Sequence, residues 1–234
     1  LYSEQISFAI GSEIPLVIVN IQRLGPSTGS ATRGADGDVQ FMRWGNSGGL
    51  PVIVLSPVDI ADCYTLTARA FDMAERYRCP VFLAANKEIA MTRESVDLDR
   101  LPLPEPVERH MADPSEGFLP FGTSGDGGVP AFLPIGGERL VRQTSSTHGP
   151  DGYITTDAAV IDGMQRRLQT KIESDADELA IFDSDLDPSA DTLVIAYGVS
   201  ARAVRQAVAK RRAAGTALSL LVLKTLWPIS ETVL

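Results

Sequence analysis

Ile14-Pro-Leu-Val-Ile-Val-Asn-Ile-Gln-Arg-Leu-Gly-Pro-Ser-Thr-Gly29 is the stretch on which the reading of this sequence turns. Pro15 stops an amphipathic helical pattern over residues 1–12, and Leu16 to Val19 follow as an unbroken apolar run. A short run without polar alternation predicts a strand buried on both faces, as in parallel sheets. It leads into Asn20 to Gly29, a turn-rich loop. Loops at the C-terminal ends of strands are where open α/β sheets bind ligands.

Working outward, a helical stretch is expected near Asp38 to Trp44 and a strand over Val52 to Leu55, ended by Ser56-Pro57. Asp59 to Arg78 has helical periodicity, with Ala61, Thr65, Ala68, Phe71 and Met73 near one face. Pro80 closes that helix, and Val81 to Ala85 read as a third strand. The order helix, strand, loop, strand, helix, strand is half of a doubly wound sheet.

Residues 101–152 change character: eight prolines and many glycines replace the periodic pattern, which predicts an irregular connection crossing a domain or subunit surface. Gly122 to Gly128 imitates a phosphate loop, but no strand precedes it and no Lys-Ser/Thr follows. Beyond it, Asp157 to Asp175 read as a helix capped near Thr155, Thr156 or Asp157, with Gln165, Arg166, Arg167 and Lys171 on a solvated face. Glu173 to Asp187 is an acidic stretch. Leu193 to Tyr197 is a strand, Gly198-Val-Ser200 a turn, Ala201 to Ala214 a helix stopped by Gly215, and Leu218 to Leu223 a further parallel strand. This is a second βαβ unit, separate from the first. The expected fold class is therefore α/β, divided into 1–100, an irregular connection over 101–152, and a smaller α/β domain over 153–234.

Composition narrows the function. The chain has 234 residues, 44% of them hydrophobic and only 6% aromatic, which suits a large aliphatic core. A net charge of −9 argues against nucleic acid as a partner. The basic triplet Lys210-Arg211-Arg212 closes a helix, where cations favour the helix dipole. Cys63 and Cys79 lack C-x-x-C spacing, so this chain alone does not ligate an iron–sulfur cluster, and buried free thiols in a reducing cytoplasm are expected. No apolar run reaches the roughly 18 residues of a membrane span. With no initiating Met and with Glu231-Thr-Val-Leu234 just after a strand, the chain reads as a fragment at both ends.

Two stretches carry a family resemblance. Ile14 to Gly29 resembles the P-x-V-I-V-x-V-Q-R-x-G-P-S-T-G signature in the α subunits of 2-oxoacid:ferredoxin oxidoreductases. Leu193-Val-Ile-Ala-Tyr-Gly198 through Leu223-Lys-Thr-Leu-Trp-Pro228 resembles the second domain of the same subunits, and Pro57 to Asn86 follows their pattern between the two. The resemblance covers most of the chain outside 101–150. It implies that residues 1–100 are part of a pyrimidine-binding domain of thiamine enzymes and that 153–234 resemble a transketolase C-terminal domain. It further implies oxidative decarboxylation of a small 2-oxoacid to an acyl-CoA, with electrons passed to ferredoxin. Thiamine diphosphate and Mg2+ would be held mainly by a β-type partner, [4Fe–4S] clusters would lie in γ- and δ-type partners, and coenzyme A would be co-substrate. The assembly would be cytoplasmic, and this chain inactive alone. The family's Tyr-Pro-Ile-Thr-Pro motif and thiamine-activating Glu are absent and are expected upstream of Leu1. Gly45-Asn46-Ser47-Gly48-Gly49 stands where many relatives have Gly-His-Gly-Glu, and Leu24 replaces a glycine.

On this resemblance Arg23 is the first candidate for substrate, because a guanidinium fork grips a planar carboxylate through two hydrogen bonds. The alternative is a structural pairing with Asp36 or Asp38. Ser27 and Thr28 offer hydroxyl donors, and Gly25, Pro26 and Gly29 let the backbone approach a cofactor closely, or simply make a rigid turn. Gln22 would hydrogen-bond either the loop or the substrate. No catalytic residue and no metal ligand is identified. His110 and His148 lie in the irregular segment and read as exposed loop histidines. Gly198-Val-Ser-Ala201 resembles a dinucleotide-type turn but is equally explained by packing. Two other readings stand beside this one. A lipoamide-type dehydrogenase or transketolase-like enzyme would lack the Q-R-x-G-P-S-T-G loop. A non-catalytic docking subunit would bind no thiamine by itself, and the fragmentary thiamine motif suits it.

Overall fold

The computed structural model describes residues 2–113, 117–123 and 128–234. Leu1, at the start of the first helical pattern, Pro114 and the centre of the Gly122–Gly128 run lie outside the described residues. Helix α1 (Tyr2–Gly11) leads into β1 (Leu16–Gln22), then α2 (Val39–Trp44), β2 (Ile53–Leu55), α3 (Ile60–Tyr77), β3 (Pro80–Asn86) and α4 (Lys87–Met91). After the irregular segment come α5 (Ala158–Glu173), α6 (Ala176–Leu179), β4 (Phe182–Asp185), β5 (Leu193–Tyr197), α7 (Ser200–Ala213), β6 (Ser219–Leu223) and β7 (Thr225–Trp227).

The first sheet has the order β1-β3-β2-β7, with β1, β3 and β2 parallel and β7 antiparallel to β2. β3 is central, and all seven of its residues are buried. Side chains of a strand alternate between faces, and two cores follow from that alternation. Ile53, Leu55, Val81 and Leu83 pack under α3 with Leu66, Ala70, Ala74 and Tyr77. Val52, Val54, Phe82 and Ala84 pack on the opposite side with Ile6, Ile10 and Met42. The second sheet, β4-β6-β5, has β5 and β6 parallel across the α7 crossover and its own core of Val58, Ala196, Ala201, Val208, Leu220 and Val222. The expected α/β class with a mainly parallel sheet is the observed one.

Several expectations are corrected. β1 extends to Gln22 instead of ending at Val19, and it lies at the sheet edge with Val19 57% and Ile21 44% exposed, so it is not buried on both faces. The face of α3 is one residue out of phase: Leu66, Ala70, Ala74 and Tyr77 are buried, whereas Phe71 is exposed. The two alanines let the helix approach the sheet closely, and that steric gain outweighs burying the phenyl ring. Asp62, in the first turn of α3, is buried because Lys224 pairs with it at 2.9 Å. Part of the acidic stretch is strand β4, whose four residues are all exposed; Asp183 pairs with Arg205 and Lys224, and Asp185 with Arg212. β7 forms from Thr225-Leu-Trp227 and returns the chain from the second sheet to the first.

The largest correction concerns α5. Arg167 and Lys171 do not face solvent; they are 8% and 3% exposed. Both pair with the carboxylate of Glu13, which is fully buried: Lys171 Nζ lies 2.7 Å from Oε2, and Arg167 donates to both oxygens. Lys171 also donates to the Arg78 carbonyl at 3.2 Å, and Arg78 Nε donates to the Glu13 carbonyl at 3.2 Å. Arg78 Nη1 reaches the carbonyls of Pro120, Pro130 and Ala131 in the irregular segment. That segment crosses the surface of α3 of its own chain, where Arg109 pairs with Glu75 at 2.6 Å and Phe132 lies under Arg78 at 4.4 Å. Glu13 and Arg78 hold left-handed φ of 52° and 44° at helix ends where glycine is the usual residue. Each such residue costs about 1–2 kcal/mol. The side chains explain why glycine is not used: one supplies the carboxylate and the other the guanidinium of the cluster.

Burial alone would raise the Glu13 carboxyl, but Lys171 and Arg167 overcome it and bring the group from 4.5 to about 2. A carboxyl depressed in this way stabilises the fold above its unfolded value, and the contribution fades as pH falls from 4.5 towards about 2. Glu13→Gln leaves two cations buried without their anion, and a loss of about 3–5 kcal/mol is expected in urea unfolding at neutral pH. The variant should also lack the part of acid destabilisation that wild type shows in that pH window. A loss below about 1 kcal/mol, the size of an exposed ion pair, would mean the cluster does not hold these elements together.

Candidate functional site

Because β1, β3 and β2 run parallel, their C-terminal ends bring Gln22, Asn86 and Ser56 to one edge of the sheet. All three are polar yet 1–2% exposed, so each needs a partner. Gln22 Oε1 accepts from the Asp38 amide at 3.1 Å. Asn86 Nδ2 donates to Asp36 Oδ1, and its Oδ1 accepts from the Val199 amide at 3.0 Å. Ser56 lies beside Gly198, where a Cβ would stand 3.4 Å from its hydroxyl. The edge is thus the meeting place of the loop after β1, the start of α4 and the turn before α7.

The loop folds back on itself. The Leu24 amide donates to the Arg33 carbonyl at 3.0 Å, Gly29 to Pro26 at 2.9 Å and Arg33 to Ser30 at 2.8 Å. Lys87 Nζ ties the Thr32 carbonyl to α4 at 2.6 Å. Arg23 is half-buried at the neck, and Nη1 donates to the Thr28 carbonyl and, at 3.4 Å, to that of Leu24. The expected alternative, a pairing with Asp36 or Asp38, is not formed; Asp36 is taken by Asn86. Arg23 therefore braces the loop through one nitrogen while the rest of its fork makes no bond among the described residues. Ser27 and Thr28 are exposed at the tip, with Ser27 at φ 50°. Gly29 also has φ 50°, and a Cβ there would run into the Leu24 carbonyl, so this position requires glycine. Gly25 and Pro26, joined by a cis bond, are exposed beside them. Of the residues singled out in sequence, Arg23, Gly25, Pro26, Ser27, Thr28 and Gly29 form one exposed feature. Gln22 sits beneath it and bonds the loop.

Electrostatically the edge is mixed. Burial, and then the Glu88 carboxylate, push the Asp36 carboxyl above its ordinary value, while its bond from Asn86 opposes them. Burial and Asp36 raise the Tyr197 phenol. The histidines stand elsewhere: His110 is exposed, but His148 is 2% exposed, with Nδ1 2.6 Å from the Ser146 carbonyl and its ring against Phe121, so the exposed reading of His148 is corrected. Burial pushes the Cys79 thiol up to about 12 and that of Cys63 to about 11, far from a reactive thiolate.

Asn86, Lys87 and Glu88 were not anticipated, and Asp36 and Gly198, read from the sequence as an alternative partner of Arg23 and as a turn, act instead through Asn86. A signal existed for Asn86, which is the first polar residue after Pro80-Val-Phe-Leu-Ala-Ala85, but its partners lie 50 and 113 positions away. Above this edge the neck and tip of the loop supply backbone groups, the hydroxyls of Ser27 and Thr28, and the Arg23 guanidinium. Among the described residues no three His, Cys, Asp or Glu side chains gather as metal ligands. Such a donor set fits one wall of a pocket for an uncharged ring or a carboxylate; it does not fit a diphosphate and its cation. The wall is open, and a cavity of about 510 Å³ lined by Arg43, Trp44 and Trp227 lies at the other, N-terminal end of β2.

Known proteins share this architecture. The family model described as pyruvate flavodoxin/ferredoxin oxidoreductase, thiamine diphosphate-binding, matches residues 1–167. The 2-oxoglutarate synthase subunit KorA of Methanothermobacter thermautotrophicus is 36% identical over 236 residues, covering 99% of this chain and 61% of that protein. The ketoisovalerate oxidoreductase subunit VorB of the same organism is 28% identical, covering 97% of this chain and 57% of its own length. A solved 2-oxoglutarate:ferredoxin oxidoreductase from Magnetococcus marinus, with 2-oxoglutarate, coenzyme A and succinyl-CoA bound, superposes with a TM-score of 0.88 at 26% identity, covering 98% of this chain and 40% of that one. The chain spans about three-fifths of the length of the 2-oxoglutarate synthase subunits it matches. A parallel sheet with this loop at its C-terminal edge, matched over residues 1–167, places the chain in the pyruvate flavodoxin/ferredoxin oxidoreductase family, in its thiamine diphosphate-binding part.

Proposed function

We propose that this chain belongs to the α subunit of a thiamine diphosphate-dependent 2-oxoacid:ferredoxin oxidoreductase, and that its loop from Arg23 to Gly29 forms the 2-oxoacid side of the active site. The observation that carries this reading is the placement of Arg23. It is half-buried at the C-terminal edge of a parallel sheet, with part of its guanidinium not engaged among the described residues. A 2-oxoacid carboxylate would bind that fork, Ser27 and Thr28 would donate to its oxygens, and Gly25, Pro26 and Gly29 would let the backbone lie against the cofactor ring. Bound thiamine diphosphate supplies the carbon nucleophile and electron sink for decarboxylation. The residues of this chain hold the acid in register with it and shield one face from water.

The open wall is a reason to expect partners. A β-type subunit would bring the diphosphate and Mg2+, γ- and δ-type subunits the [4Fe–4S] clusters, and ferredoxin would take the electrons, with coenzyme A receiving the acyl group. Residues 1–100 would be the pyrimidine side of the site, 101–152 the connection and 153–234 the second domain. A cytoplasmic location suits this chemistry, and no described helix is long and apolar enough to cross a membrane. Among 2-oxoacids, 2-oxoglutarate is favoured, because relatives up to 36% identical are named for it.

Two experiments test the reading. In the assembled complex, 2-oxoglutarate with coenzyme A should drive viologen reduction faster than pyruvate or branched-chain acids; failure with every 2-oxoacid in a thiamine-loaded complex would sink the assignment. Arg23→Ala should lower kcat/KM about 10- to 100-fold, mainly through KM, the size of a lost charge-assisted bond. Arg23→Lys should recover only part of this, since a point charge cannot replace the fork. Unchanged kinetics in Arg23→Ala would reduce Arg23 to a loop brace.

A further inference from the structure

We propose that Asn86 is a positioning residue whose side chain locks the loop bearing Arg23 to the turn before α7. It rests on the functional reading above for the meaning of that loop, but its geometry does not. Asn86 ends the central strand, is 2% exposed, and spends its two halves in opposite directions. Nδ2 donates to Asp36 in the loop, and Oδ1 accepts from the Val199 amide, which belongs to the second α/β unit. No other residue type of this size presents a donor and an acceptor side by side; an aspartate offers two acceptors and a leucine neither. The surroundings are shaped to the amide. Gly198 has φ 56°, and a Cβ there would lie 3.0 Å from Asn86 Oδ1, so only glycine lets the turn come so close. The next two residues finish the bench on which the loop lies: Lys87 Nζ holds the Thr32 carbonyl, and the Glu88 carboxylate packs directly against Gly34.

Asp36 is the loop's answering group, and its carboxyl is shared between burial, Glu88 and the Asn86 amide. The titratable groups facing it are Glu88 on α4 and Tyr197 on β5, with Lys87 alongside. In this arrangement the position of Arg23 depends on the second unit. If the turn at Gly198 moves, the amide that holds Asp36 moves with it, and the loop that carries the substrate-binding fork is no longer fixed. The active edge thereby senses how the second α/β unit is seated.

The test is hydrogen exchange on the full-length protein in its assembled complex, without substrate, read at three hydrogen-bonded amides: Leu24, Asp38 and Val199. Asn86→Ala should lower protection of all three about tenfold, the loss expected when a buried hydrogen bond is removed. Asn86→Asp separates the two sides. Near neutral pH the introduced carboxylate still accepts from Val199, whose protection stays near wild type, but it repels Asp36, so Leu24 and Asp38 lose about tenfold. Compared with wild type at each pH, the loop amides should regain protection as the medium is acidified, because one proton shared by the two carboxyls restores a donor. The KM for the 2-oxoacid should follow the same pH course. Loop and turn amides that open together at every pH would mark a simple folding defect and overturn the proposal, as would loop amides unchanged in both variants. A wild-type complex that turns over no 2-oxoacid would instead refute the proposed function while leaving the exchange result to stand.

Discussion

The carboxylate of Glu13, buried between Arg167 and Lys171, is the interaction on which the rest of the chain depends. It joins residues 154 and 158 positions apart, so no local propensity places it. A buried carboxylate is costly unless its partners satisfy both oxygens, and here they do. The same cluster draws in Arg78 and, through it, three carbonyls of the irregular segment. A connection with almost no regular secondary structure is thereby pinned over the end of α3 instead of swinging free. Two strained backbone positions, at Glu13 and Arg78, are the visible cost of bringing these charges together.

At the opposite end of the strands the logic is different. There the polar residues Gln22, Ser56 and Asn86 are buried, Gln22 and Asn86 hold the loop through the Asp38 amide and the Asp36 carboxylate, and Arg23, Lys87 and Glu88 stand around it. A firm base beneath an exposed tip suits the substrate-facing role proposed for this loop. The base fixes the neck of the loop, and the tip keeps its backbone and hydroxyls available. The return of β7 onto β2 and the Lys224–Asp62 pair tie the second unit to the first sheet, so the two α/β units share one framework.

The sequence by itself determined the class of fold, the order of the principal elements, the loop from Arg23 to Gly29 and the family. These are local properties: apolar runs, helical periods, a glycine whose φ admits no side chain, and a motif read in one stretch. It also marked the irregular nature of 101–152, because proline and glycine act where they stand. What only the tertiary structure decided was which faces are buried and which charges are paired. The phase of α3 was set by two alanines against a sheet, the edge position of β1 by strand order, and the polar strand β4 by cations from α7 and by Lys224 just after β6. Arg167 and Lys171 looked solvated because nothing near them in sequence can neutralise them, and Asn86 looked like a strand end because both its partners are remote. Apolar pattern is carried residue by residue along the chain, whereas the partner of a buried charge or amide is chosen only when distant segments meet.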